Sequence, residues 1–199
     1  MIVAIFMQFS ILMYSQSTMS GSVSGTWTFD DDPMDPNING SPYTITGDIY
    51  ISNGNSLTID AGVVVQFQGD FSLTVQSGGT LTVSGTDGNQ VTFTIVSPAT
   101  IWSGINISGN SNTNSFSYCI FEFVSKSPAG GCSTDFASCG AVYLNNSSDV
   151  SFSNCIFRDN DVCSGGGIAA ISSGVFVSAC TFHDNEVEHY GGGIYIDDA

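Results

Sequence analysis

The sequence predicts an all-β fold, a right-handed parallel β-helix (a β-solenoid) with about 25 residues per coil. Three observations predict it. Cys155–Ile194 repeats itself, short apolar runs alternate along most of the chain, and the turns between them are made of Gly, Asn, Asp and Ser. No long stretch carries the helical period.

The repeat comes first. Cys155-Ile156-Phe157-Arg158-Asp159-Asn160 precedes Gly165-Gly166-Gly167-Ile168, and Cys180-Thr181-Phe182-His183-Asp184-Asn185 precedes Gly191-Gly192-Gly193-Ile194. Cys155 to Cys180 and Asn160 to Asn185 both span 25 residues. A two-helix repeat needs roughly 33–45 residues. One solenoid turn fits instead, with the next coil stacked about 4.8 Å above it. Phe157 should then stack on Phe182, Ile168 on Ile194 and Cys155 on Cys180. Corners need positive φ, which Gly adopts freely and Asn tolerates. That assigns corners to Gly165–Gly167, Gly191–Gly193, Asn160 and Asn185.

From the amino end, Ile2–Met13 is apolar but too short to span a bilayer, which takes about 20 residues. With small residues at Ser15 and Ser17, residues 1–17 read as a signal peptide. Ser17–Ser24 reads as a linker, and residues 18–42 as linker and amino-terminal cap. Within them, Asp30, Asp31, Asp32 and Asp35 form an acidic loop. Calcium takes six to eight oxygen ligands, so these four are the candidate calcium ligands, although Pro33 and Pro36 also suit an ordinary turn.

Residues 43–199 read as the β-helix itself. Strands are expected at Gly47–Ile51, Leu57–Ile59, Val63–Phe67, Leu73–Val75, Leu81–Val83 and Val91–Ile95, with Asn53-Gly54, Ala61-Gly62, Gly69-Asp70 and Gly78-Gly79 between them. Cys119-Ile120-Phe121 supplies a third Cys-x-Phe. Its longer interval to Cys155 is accounted for by the insert Lys126–Cys139. The chain stops after a strand with no capping element, so the helix is expected to continue beyond Ala199.

Composition narrows the partners. Lys plus Arg is 2 against 18 Asp plus Glu, a net charge of −16. Phosphate backbones require cationic surface, so nucleic acid is excluded, and anionic membrane surfaces with it. Hydrophobic residues make up 42% of the chain, which argues against disorder.

Candidate chemistry is sparse. Asp159 and Asp184 share one repeat position, so stacking puts them about 5 Å apart. Glycosidases use carboxylate pairs about 5–9.5 Å apart, which makes these two the candidate catalytic pair; every solenoid stacks like residues, however, and Asp-Asn is a natural corner sequence, so corner structure is the preferred reading. Arg158 lies beside Asp159 and near Asp161, which should balance it. His183 and His189, with Asp184, Glu186 and Glu188 between them, form a candidate transition-metal site. Cys119, Cys155 and Cys180 share a register and should point inward. Cys132, Cys139 and Cys163 lie in loops, where Cys139–Cys163 and Cys132–Cys139 are both open as pairings. Thr80-Leu81-Thr82 and Thr92-Phe93-Thr94 raise an ice-binding face, although their spacing is irregular.

Two family resemblances emerge. Tyr43–Ile107, with Leu57–Phe67 and Trp102-Ser103-Gly104-Ile105, resembles secreted right-handed parallel β-helix repeat proteins of the pectin-lyase-like superfamily. Cys119–Ile196 resembles polymorphic outer-membrane-protein repeats, which pair Phe-x-x-Asn with Gly-Gly-Ala-Ile. Phe157-Arg158-Asp159-Asn160 and Phe182-His183-Asp184-Asn185 match the first element. Gly165–Ile168 and Gly191–Ile194 approach the second, with Gly where the family has Ala. The resemblance implies exported, cell-surface proteins, often adhesins.

The expectation is therefore an exported cell-surface, outer-membrane or secreted β-helix with a structural or adhesin-like role. It has no catalysis in this segment, no obligatory cofactor beyond a candidate calcium ion, and no membrane span. Its partners would be polysaccharides or cell-surface ligands. The alternative is a fragment of a pectin-lyase-like enzyme, a polysaccharide lyase or glycoside hydrolase. A lyase needs a basic residue, for which the chain offers only Lys126 and Arg158.

Overall fold

A computed structural model describes residues 17–29, 41–125 and 140–198 of the chain. The sequence-level candidates Asp30, Asp31, Asp32 and Asp35, the insert from Lys126 to Cys139, and most of the expected signal peptide lie outside these residues.

Among the described residues, twenty short strands wind through successive coils. β1 (Ser17–Ser22) stacks on the first coil, which holds β2 (Gly25–Trp27) and β3 (Tyr43–Ile51). The second holds β4 (Ser56–Asp60), β5 (Val64–Phe67) and β6 (Leu73–Val75). β7 (Thr80–Ser84), β8 (Val91–Ile95) and β9 (Ile105–Ser108) make the third. β10 (Asn114–Ser117), β11 (Cys119–Glu122) and β12 (Val142–Asn145) make the fourth. The fifth has β13 (Val150–Ser153), β14 (Ile156–Arg158), β15 (Asp161–Val162) and β16 (Ile168–Ile171). The sixth has β17 (Val175–Ser178), β18 (Thr181–His183), β19 (Glu186–Val187) and β20 (Ile194–Asp197).

Three parallel faces result. Face A runs β2-β4-β7-β10-β13-β17. Face B runs from the amino half of β3 through β5, β8, β11 and β14 to β18, and face C from the carboxyl half of β3 through β6, β9, β12 and β16 to β20. Each coil visits A, B and C in turn, which is the solenoid expected from the repeat. Parallel crossovers of this kind are right-handed.

Alternation explains the core. In each strand every second residue points inward, and register stacks those residues into ladders. On face B the ladder is Tyr43–Val65–Phe93–Phe121–Phe157–Phe182. Its ring centroids lie 5.1 Å apart at Phe93–Phe121, 4.7 Å at Phe121–Phe157 and 4.9 Å at Phe157–Phe182. Face C supplies Ile49–Leu73–Ile105–Val142–Ile168–Ile194. Face A supplies Trp27–Ile59–Val83–Phe116–Phe152–Val177. The predicted stacks of Phe157 on Phe182 and Ile168 on Ile194 are both present.

Two sequence readings change. Ser17–Ser22 is not a linker but strand β1, parallel to β3, with Ser17 buried and Met19 packed against the core. The positive-φ position also moves from Asn to the Asp before it. Positive φ falls on Asp159 and Asp184, each at 54°, and at the equivalent point of the fourth coil on Phe123 at 61°. Asn160 and Asn185 follow the bend and turn inward. The reason is hydrogen bonding. A carboxamide carries both donors and acceptors for backbone groups inside the corner, whereas a carboxylate only accepts. Within the two glycine triplets, the first residue of each takes the left-handed conformation, Gly165 at 64° and Gly191 at 65°.

Candidate functional site

The inward Asn ladder positions everything around the B-to-C corner. Asn160 Nδ2 donates to the Phe121 carbonyl at 3.1 Å and to Asn185 Oδ1 at 2.9 Å, while its Oδ1 accepts from Val124 N–H at 3.0 Å. Asn185 Nδ2 donates to the Phe157 carbonyl at 2.9 Å. Backbone groups freed by the bend are thus satisfied from one coil to the next.

This locks the carboxylates on either side of the ladder outward. Asp159 and Asp184 follow the paired residues Arg158 and His183, so they stack one coil apart as expected. Their side chains are 44% and 75% exposed. Each faces its own basic neighbour: Asp159 Oδ2 lies 3.8 Å from Arg158 Nε, and Asp184 Oδ2 lies 2.8 Å from His183 Nδ1. A second outward pair, Asp161 and Glu186, is held in register by β15 and β19. Asp184 borders a shallow depression of about 160 Å³ with His183, Asn185 and Gly193.

His183 sits in β18 beside Asp184, whereas His189 lies past β19 against Tyr190, their ring centroids 6.1 Å apart. Among the described residues no three His, Cys, Asp or Glu side chains gather closely enough to hold a metal ion.

Arg158 is held differently from the sequence expectation. Its Nε and Nη2 donate to Glu122 Oε2 at 2.9 and 2.7 Å, so its principal partner is an acid one coil below and not Asp159 or Asp161. Glu122 Oε1 accepts from Thr94 Oγ1 at 2.8 Å. The Glu122 side chain is only 11% exposed. A nearly buried carboxylate is tolerable when paired and hydrogen-bonded, as this one is. The outer row of face B therefore reads Thr44, Gln66, Thr94, Glu122, Arg158, His183. Glu122 was missed in the sequence although a signal existed. It follows Phe121 as Arg158 follows Phe157, so aligning the three Cys-x-Phe copies pairs the two.

The cysteines divide as expected. Cys119, Cys155 and Cys180 are free thiols, the first two buried. Cys155 N–H donates to Cys180 Sγ at 3.4 Å. The hydrogen bond with Cys119, and burial after it, push the Cys155 thiol up to about 12, against an opposing bond from Cys180. The neighbouring Cys155 and burial likewise push Cys180 up. Cys163 is disulfide-bonded, and its partner lies outside the described residues.

The glycine motifs also acquire a reason. A Cβ on Gly167 would stand 2.5 Å from the Phe182 ring and 2.9 Å from Phe157 Cβ. The fifth coil therefore carries Gly where the fourth has the buried Ala141.

Against known proteins, a family model described as a pectate-lyase like beta helix domain matches residues 36–197. No curated protein and no solved structure matches the chain.

Proposed function

The chain belongs to the pectate-lyase-like β-helix family, and from that premise we propose that this segment serves as a non-catalytic scaffold of an exported, cell-surface protein. The observation that carries this reading is the bond between Arg158 and Glu122. A lyase needs a free base beside the scissile bond, and the only Lys or Arg among the described residues is committed through two nitrogens to a carboxylate of the preceding coil. Asp159 and Asp184 support the same reading. Their left-handed corners and open side chains suit a bend. A general acid instead needs a sheltered site that raises its pKa. Export is supported by the apolar amino end and by the disulfide at Cys163, since such bonds persist in oxidising compartments.

The test is a degradation screen. The full chain is incubated with neutral and acidic polysaccharides, with calcium and with chelator, and new reducing ends and unsaturated products are followed. No turnover from a folded sample is expected. Turnover that disappears in Asp159→Asn or Asp184→Asn would replace the scaffold by a glycoside hydrolase.

A further inference from the structure

One column of the core is made of sulfur. Cys119, Cys155 and Cys180 each stand two residues before an inward Phe of face B and stack in that register. Each thiol donates to the carbonyl two residues before it: Cys119 Sγ to Ser117 at 3.3 Å, Cys155 Sγ to Ser153 at 3.4 Å and Cys180 Sγ to Ser178 at 3.4 Å. The same bond made three times means one side-chain conformation repeated at each level. The sulfurs therefore follow the coil spacing. The phenylalanine column two residues on measures that spacing, at 4.7 Å for Phe121–Phe157 and 4.9 Å for Phe157–Phe182. Neighbouring sulfurs thus stand about 4.8 Å apart and point alongside one another.

That spacing is a chemical signal. It is too long for a disulfide, whose sulfurs bond at about 2.05 Å, unless both side chains turn. It is the span of a two-coordinate ion, because two metal–thiolate bonds of about 2.3 Å laid end to end cover about 4.6 Å. The surroundings choose the ion. Zinc takes four ligands, and among the described residues no three His, Cys, Asp or Glu side chains gather closely enough to hold a metal. Calcium and magnesium take oxygen and not sulfur. A pair of soft thiolates with no third donor suits copper(I) and ions like it. The column also has one accessible end. Register puts Val91 below Cys119. Cys119 and Cys155 are buried, whereas Cys180 is half-exposed. The Cys155 N–H donates to Cys180 Sγ at 3.4 Å, and a donor aimed at the ligand atom stabilises a metal-bound thiolate. A net charge of −16 draws cations to the surface.

We propose that Cys155 and Cys180 form a two-coordinate site for a soft monovalent cation of the copper(I) class, entered at Cys180 and clamping the sixth coil to the fifth. Two S–H bonds break and two sulfur–metal bonds form, so each ion bound releases two protons to solvent. No electron is transferred. Cys119 lies behind Cys155 and outside the bridge. The site is independent of the scaffold reading and holds whether or not this segment turns over a substrate.

The experiment titrates the full chain, kept under argon, with silver(I), an air-stable ion of the same class, in chloride-free buffer near neutral pH. Native mass spectrometry counts the ions retained, and a pH-stat counts the protons released. Sulfur in the insert also takes silver, so the site is read as the difference between parent and variant. The replacement is valine, which already fills this column at Val91. Cys180→Val and Cys155→Val should each retain one ion fewer than the parent, and Cys119→Val the full number. The parent should release two protons for that ion, and silver should raise its Tm but not that of Cys180→Val or Cys155→Val. Melts without metal show which variants fold, and Cys180→Val, at the half-exposed end, is the mildest of the three. Equal ion counts in the parent and Cys180→Val would overturn the site. So would loss of the ion in a folded Cys119→Val, release of fewer than two protons, equal retention of zinc(II), or recovery of Cys155 joined to Cys180 by a disulfide from the untreated chain.

Discussion

The amino-terminal coils and the last two coils have the same cross-section but reach it with very different lengths of chain. Along face B, Thr44 to Gln66 is 22 residues, Thr94 to Glu122 is 28 and Glu122 to Arg158 is 36, whereas Asn160 to Asn185 is 25. Throughout, the inward ladder stays in register. The coil is therefore defined by its ladders, and chain length is absorbed at corners, where extra residues cost little closure entropy. The two regions differ in how the corner is closed. The fifth and sixth coils use an inward Asn. The fourth has Val124 there, whose backbone depends on the Asn160 above it.

That difference predicts the largest effect. The side chains of Asn160 and Asn185 each serve three partner groups, but Asn160 is buried whereas Asn185 is half-buried. Asn160→Ala should cost about 3 kcal/mol, the desolvation penalty of more than one unpaired buried group. Asn185→Ala should cost about 1 kcal/mol. Urea unfolding midpoints give both values. Equal losses would mean that the ladder does not transmit between coils.

The glycines sharpen the comparison between the fifth and sixth coils. Gly167 and Gly193 occupy equivalent places, but the added Cβ would meet the Phe182 ring at 2.5 Å in the first and Phe182 Cβ at 3.3 Å in the second. Gly167→Ala should lose about 2 kcal/mol through overpacking, and Gly193→Ala less than about 0.5 kcal/mol. Thermal melts of the pair decide it. A large loss at Gly193 would show that the last two coils are packed alike.

The fold was legible because ladders leave a trace in sequence. Phe157 and Phe182, Ile168 and Ile194, and the two glycine triplets repeat wherever adjacent corners have equal length. Through residues 43–125, unequal corners erase the period, and only the alternation of apolar residues remained. The surface was less legible. Glu122 and Arg158 belong to coils separated by the insert, so proximity in sequence pointed Arg158 at Asp159 and Asp161. Asn160 was given the positive-φ position that Asp159 takes. Propensity ranks both as tolerant of positive φ, and only the hydrogen-bond demand inside the corner separates them.

The Glu122–Arg158 pair on face B gives the next effect. Glu122→Gln keeps the shape but removes the charge opposite Arg158, and should cost about 1.5 kcal/mol, the value of a hydrogen bond to a charged group at a partly exposed site. Arg158→Met leaves Glu122 charged, nearly buried and held only by Thr94, and should cost more, about 2 kcal/mol. Combining the two substitutions should restore part of the loss. Strict additivity in chemical denaturation would show that the two side chains do not interact.

The smallest effect at neutral pH comes from the thiol ladder, and it grows in alkali. The folded-state value of Cys155, about 12, lies above its ordinary 9.0. The native chain therefore holds a proton that the unfolded chain releases between those limits. Stability from this thiol is complete below about pH 9 and declines as pH rises towards 12. Cys155→Ala should flatten the fall in unfolding midpoint over that window, at the cost of a small cavity. Both thiols are held protonated near pH 8, so access decides, and native labelling with a thiol reagent should reach half-buried Cys180 before Cys155. Cys155 reacting first, or an unchanged pH slope in Cys155→Ala, would mean that the last coils open together and are not closed in sequence from the fifth outward.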